Sequence, residues 1–261
     1  MTARHGGVTA PSPRRRSGKD SPEYRPFPRS EMIRCRILGP ISLSGVDAKP
    51  LDDVVTQPRR LALLAYLVMH APRGFIRRDA LFPLFWPDMD LDRARGALRQ
   101  ALYVLRNAVG DDVLISRGAE EVAIAADQMW CDATEFERAC DERRWADAVS
   151  LYRGDFLQAF FITDAPQFEQ WMQEQQGRLR LRMTAAARSL AASQDSSGAF
   201  KDATATLRRA LAVDASDEES LRHLIALLDR QGDRAGAVKE YETFVARLSD
   251  EFGVPPSAET I

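Results

Sequence analysis

Residues 91–110 constrain this chain more than any other stretch. Leu98, Leu102, Leu105 and Val109 recur there at steps of four, three and four, the spacing of one face of an α-helix. The opposite face carries Arg93, Gly96, Gln100, Tyr103 and Asn107. One flank holds Arg95, Arg99 and Arg106, and the other holds only Ala97 and Ala101. Arginine grips guanine bidentately, glutamine grips adenine, and small side chains permit close approach, so this outer surface suits the major groove of DNA. A solvated amphipathic helix kept soluble by its arginines shows the same periodicity. The neighbouring segments therefore decide between the two.

Upstream, residues 33–38 and 41–46 are short β-prone runs separated by Gly39-Pro40, which predicts a small antiparallel pair. Residues 50–55 read as a third short strand. Residues 57–70 turn helical, with Pro58 in the first turn, and are apolar on nearly every side from Leu61 to Met69, as a central core helix is. A second, short helix is expected over 78–86, shortened or kinked by Pro83. Asp90 or Asp92 can cap the helix at 91–110, and Gly110 can close it. Residues 113–116 and 121–125 form a hairpin across Arg117-Gly118-Ala119-Glu120. A short helix, an outward-polar helix and a hairpin together make a winged helix-turn-helix, and in that setting residues 91–110 read as the recognition helix.

Charge divides the chain. Residues 1–31 hold seven Lys/Arg against three Asp/Glu and residues 32–126 thirteen against eleven, whereas residues 127–261 hold sixteen against twenty-four. A basic front and an acidic back point to modules with different partners. Residues 1–31, rich in Pro, Arg, Ser and Gly with Arg14-Arg15-Arg16 at their centre, read as a disordered basic tail, and Met32 reads as the start of translation. Cys35, Cys131 and Cys140 follow no disulfide or metal-ligand spacing and are expected to be buried free thiols. No apolar run is long enough to span a membrane, and no secretory signal is present, so a cytoplasmic location is expected.

From about Asp127 onward the pattern is helical, with expected helices over 133–141, 145–152, 166–192, 199–213, 218–231 and 235–249. Gly198, Ala203, Leu207 and Leu211 are matched by Gly232, Ala237, Tyr241 and Val245 at an offset of thirty-four residues, the tetratricopeptide period. The glycine permits the tight turn between paired helices, and the alanine lets them cross closely. The fold class is therefore mainly α: an N-terminal winged helix-turn-helix with small β elements, then a tetratricopeptide-like helical domain. The expected divisions are 1–31, 32–126 and 127–261.

Catalytic constellations are missing from the sequence. It has no phosphate-binding GxxxxGK[ST] loop, nucleophile elbow or His-Glu-x-x-His pair, so no enzyme, cofactor or metal site is expected. Asp52-Asp53 and Asp111-Asp112 lie beside turns, as solubilising or capping residues do. Trp86, Trp130, Trp145 and Trp171 read as core residues.

The ordered set of motifs resembles the Streptomyces antibiotic regulatory protein family, which joins a winged helix to a bacterial transcriptional activator domain. Ile37-Leu38-Gly39-Pro40, Arg59 to Leu67, Arg78-Asp79-Ala80-Leu81 with Phe85-Trp86-Pro87, and Ala94 to Gly110 are similar to the family's front half. Tyr152-Arg153-Gly154-Asp155-Phe156-Leu157, Phe168-Glu169-Gln170-Trp171 and Glu251-Phe252-Gly253-Val254-Pro255-Pro256-Ser257 resemble signatures of its back half. Where the family wing has a Gly-Tyr pair, this chain has Glu120-Glu121-Val122, which repels phosphate and leaves Arg117 as the wing's contact. Ala97, Ala101 and Val104 replace larger polar residues, so base readout falls to Arg93, Arg99, Gln100 and Tyr103, with an alanine or Val104 available to a thymine methyl.

The expected function is that of a sequence-specific, double-stranded-DNA-binding transcriptional activator. Arg59 and Arg60 hold phosphates or merely solvate a helix start. Arg95 and Arg106 contact the DNA backbone or pair with nearby acids. The resemblance implies self-association as a homodimer on repeated half-sites, RNA polymerase as partner and residence on the nucleoid. Because the chain stops at Thr260-Ile261, inside a motif that normally leads into another helix, truncation is expected. Two alternatives remain open: a tetratricopeptide adaptor with weak or no DNA binding, and the N-terminal regulatory part of a larger protein.

Overall fold

The computed structural model describes residues 32–261, and the basic tail expected over 1–31 lies outside the described residues. The described chain opens with β1 (Ile33–Arg36) and β2 (Ser42–Ser44), which pair antiparallel with Cys35 opposite Leu43. Of residues 50–55, expected to form a third strand, Pro50 makes a single antiparallel bridge with Ser44, and the chain then makes one helical turn, α1 (Asp52–Val55). Val54 is fully buried there, and the Thr56 hydroxyl donates to the Asp52 carbonyl at 2.8 Å, a local bond that closes the turn. Helix α2 (Pro58–His70) runs through the core, with Leu61 to Ala65 and Leu67 to Met69 buried. Proline at its first position matches the missing donor to a helix end.

Strand β3 (Ile76–Arg77) follows, then a 3₁₀ turn over Arg78–Leu81 that continues into α3 (Phe82–Phe85). The single short helix expected over 78–86 is thus split, because Pro83 can occupy only the first turn of a new helix. Helix α4 (Leu91–Val109) leads to β4 (Leu114–Arg117) and β5 (Glu121–Ile124), which pair antiparallel. Strand β3 adds to the far side of β5, giving a wing of order β3-β5-β4.

The chain then crosses back. Strand β6 (Met129–Cys131) pairs parallel with β1, so the first strand sits at the centre of a β2-β1-β6 sheet. Helices α5 (Asp132–Asp141), α6 (Trp145–Leu151) and α7 (Pro166–Ser196) follow, and then α8 (Phe200–Val213), α9 (Glu218–Arg230) and α10 (Arg234–Phe252). Gly198 and Gly232, one period apart, take left-handed φ of 79° and 80° at the turns before α8 and α10. Ala203 and Leu207 pack in one core with Ala237 and Tyr241, their counterparts thirty-four residues on, whereas Leu211 is buried and its counterpart Val245 only half-buried, the buried place being taken by Phe244.

The other core begins at Ile33 and reaches Ala187 and Ala210, across both halves. Family-like segments sit at this seam. Gly39 has φ +91°, and a Cβ there would lie 3.0 Å from the carbonyl carbon of Arg153, so the turn after β1 needs glycine. Its amide donates to the Asp155 carbonyl at 3.0 Å, and the Leu157 amide donates to the Ile37 carbonyl at 2.7 Å. The carboxylate of Asp132, which is buried at the start of α5, accepts the amides of Ile37 at 2.8 Å and Leu38 at 3.2 Å. Phe168 lies 5.3 Å from Phe85, and Trp171 lies 4.8 Å from Tyr66, so the first turns of α7 hold the helices of the front half. Trp86 is buried, as expected of a core residue, while Trp130, Trp145 and Trp171 are half-buried. Cys35, Cys131 and Cys140 are buried free thiols.

Candidate nucleic-acid interface

Helix α4 is built as its periodicity requires. The Asp90 carboxylate accepts the Arg93 amide at 3.0 Å and caps the N-terminus, and Gly110 ends the helix with φ 98°. Leu98, Leu102, Leu105 and Val109 are buried, as are Ala94 and Ala101. The buried stripe is therefore wider than the leucines alone. Ala101 is core, and Ala97 is half-buried against it, so the alanine flank is not an open surface for a thymine methyl. Val104 is half-buried and keeps part of its surface outside.

The polar residues of α4 fall into two groups. Arg93 pairs with Asp90 at 3.2 Å, and Arg95 pairs with Asp92 at 3.3 Å. Arg106 pairs with Asp111 at 3.1 Å and donates to the Ser116 hydroxyl at 3.0 Å, which ties α4 to the wing. Arg99, Gln100 and Tyr103 are exposed and make no hydrogen bond or ion pair among the described residues. These three lie within little more than one turn and, with the exposed Asn107 a turn further on, make the uncommitted polar surface of the helix. Arg95 and Arg106 thus take the acid-pairing alternative rather than presenting free guanidinium groups.

Of the remaining expected contacts, Arg59 donates to the Thr163 carbonyl at 3.1 Å and lies 4.0 Å from Asp164, which commits it to the loop before α7. Arg60 is half-buried, with no ion pair among the described residues. Arg117, on β4, pairs with Glu121 and lies 4.7 Å from the Phe75 ring. That pair holds the Glu121 carboxyl below the usual carboxylate range, and it neutralises the cation of the β4–β5 hairpin.

Sequence reasoning missed Arg78. Its guanidinium donates to the same Ser116 hydroxyl at 3.1 Å, and its amide donates to the Glu120 carbonyl at 2.8 Å. Its Nε is buried without a partner. Burial and the charges of Arg106 and Arg99 push its pKa below that of an ordinary arginine. Residues 78, 99 and 106 thus gather into a cationic cluster between α4 and the wing. The signal was weak because Arg78 sits on a 3₁₀ turn with no periodicity of its own. Among the described residues no group of His, Cys, Asp and Glu is placed to hold a metal, and no helix is long and apolar enough to cross a membrane.

The chain joins a winged helix-turn-helix to a stack of tetratricopeptide-like helices through one continuous core, and the family it matches is one of transcriptional regulators. The family described as the bacterial transcriptional activator domain matches residues 121–261, more than half of the sequence. The chain belongs to that family, and its resemblance to the Streptomyces antibiotic regulatory proteins stands. Among solved structures it is similar to Mycobacterium tuberculosis EmbR, determined in complex with a low-affinity phosphopeptide, with a TM-score of 0.61 and 20% sequence identity. The match covers 88% of this chain and 63% of that one, so this chain spans less than two thirds of that protein's length. At that identity the likeness is one of fold. No curated protein matches the sequence.

Proposed function

We propose that the chain is a sequence-specific DNA-binding activator of transcription, with residues 32–126 as the DNA-reading unit and residues 127–261 as the unit of activation and self-association. The observation that carries this reading is the exposed trio Arg99, Gln100 and Tyr103, left uncommitted on a capped helix whose other arginines are paired. Arg99 and Gln100 supply the bidentate donors that read guanine and adenine in the major groove. Arg60 and the cationic cluster at Arg78 and Arg106 supply phosphate attraction and set register. Arg93, Arg95 and Arg117 reach phosphate by exchanging their carboxylate partners, and Arg59 acts through the seam it closes. One such module binds weakly, so the protein acts as a homodimer on paired half-sites. RNA polymerase is the partner of the acidic helical half, and the protein resides in the cytoplasm on the nucleoid.

The test is selection of bound duplexes from random DNA, followed by mobility shifts with the selected site. Arg99→Ala and Gln100→Ala should each weaken specific binding by about 10- to 100-fold, the equivalent of roughly 1–3 kcal/mol. Their binding to unrelated DNA should change far less. Wild-type protein that shows no preference over competitor DNA at moderate salt overturns the reading. The adaptor alternative is favoured by one observation, the neutralised acidic wing at Arg117 and Glu121, and that same null result would support it.

A further inference from the structure

We propose that the cleft between the two halves of the molecule binds a small aromatic anion, a flat ring carrying a carboxylate or phosphate. The cleft encloses about 990 Å³, the size of a small-molecule site, and small-molecule sites favour such seams. Its floor is formed by β1 and β6. Ile33, Cys35 and Ile37 of the first strand and its end are buried in the core, so the alternating Arg34 and Arg36 face the other way, into the cleft. Trp130 of β6 stands in register with Arg34, and the Arg36 guanidinium lies 5.6 Å from its ring. The opposite walls bring His70 and Arg73, from the end of α2 and the turn after it, and Trp171 of α7, whose ring lies 5.9 Å from that of His70.

Charge tells which ligand this surface takes. On the α5–α7 side the cations are matched: Arg178 pairs with Glu137, and Arg182 pairs with Asp141. On the floor and at the α2 end, Arg36 and Arg73 form no ion pair among the described residues. Burial and the charges of Arg153 and Arg34 work against the Arg36 cation, and the charge of Asp132 favours it less than these oppose it. Half-buried indole rings beside unneutralised guanidinium groups fit a planar anion, which stacks on the rings while its charge meets the arginines. Sequence reading places Trp130 and Trp171 in the core, but the fold leaves both half-buried on the cleft. A ligand there touches α2 of the front half and β6 and α7 of the back half at once. This goes beyond DNA binding and does not depend on it.

Intrinsic tryptophan fluorescence and calorimetry on the full chain test the proposal. The probes are AMP and anthranilate, with adenosine and inorganic phosphate as the ring and the charge alone. At least one of the two aromatic anions should bind with Kd below about 1 mM, at least tenfold more tightly than adenosine or phosphate, and whichever binds tells a phosphate source from a carboxylate source. Arg73→Ala, at an exposed position, and Arg36→Ala should each weaken that binding about tenfold or more. Any variant that melts well below wild type is set aside, and the exposed Arg73→Ala decides. Binding of neither probe, equal binding of adenosine or phosphate, or binding that Arg73→Ala leaves unchanged overturns the proposal.

Discussion

Asp132 offers a stability measurement that reports directly on the seam between the two halves. Its side chain is 1% exposed and receives the amides of Ile37 and Leu38, while Arg153 lies 3.7 Å away. Burial penalises the carboxylate more than these partners favour it, so its pKa rises from the usual 3.8 to about 6. Between those values the folded chain holds a proton that the unfolded chain has lost. Stability then falls as pH rises from about 4 to about 6, and stays reduced above that. At about 1.4 kcal/mol per pH unit, the gap amounts to about 3 kcal/mol. Asp132→Asn removes the titration. Urea unfolding of wild type and variant at a series of pH values from 4 to 7.5 measures the difference, and the difference matters because other carboxyls, such as Asp155 beside Arg180, are shifted down and act in the opposite sense. The variant's stability relative to wild type should rise by about 2.5 kcal/mol across that range, most steeply between pH 4 and pH 6. Parallel pH profiles for the two proteins would refute the reasoning, since they would mean that Asp132 ionises in the folded chain as it does in the unfolded one.

Other perturbations follow from single contacts. Asp90→Ala removes the cap of α4 and should lower stability by about 1 kcal/mol in urea unfolding, with a matching loss of DNA affinity if α4 docks end-on. Leu105→Ala empties a fully buried site beneath α4 and should cost about 2–5 kcal/mol by the same assay. Gly198→Ala and Gly232→Ala meet no neighbouring atom within 4 Å, so each should cost only the left-handed backbone strain, about 1–2 kcal/mol in thermal or urea melts.

Where local chemistry dictates structure, the sequence was legible. The leucine spacing and Asp90 fixed α4, and the paired glycines announced the turns before α8 and α10. The hairpin at β4 and β5 followed from two β-prone runs separated by a short turn. Strands β3 and β6 were not legible, because two or three residues carry no period and exist only through partners far along the chain. Residues 50–55 were misread for a related reason: a β-prone composition gave way to a buried valine and one side-chain bond. In the candidate interface, the sequence named the exposed residues of α4 but could not say which were already engaged.

By itself, then, the sequence determined the order of helices, the hairpin, the thirty-four-residue repeat and the polar face of α4, since each depends on residues within a few turns of one another. Tertiary structure decided the rest. It tied Arg106 to Ser116 of the wing and left Arg99, Gln100 and Tyr103 uncommitted, while the acid pairs of Arg93, Arg95 and Arg106 span only three to five residues. The core also buried Ala101, and the fold brought Arg78 beside α4 and threaded β1 between β2 and β6 so that both halves share one core. Which arginine of a distant turn lies beside α4, and which indole lies half-open on a cleft, depends on distances between segments far apart in sequence, and local pattern carries no record of them.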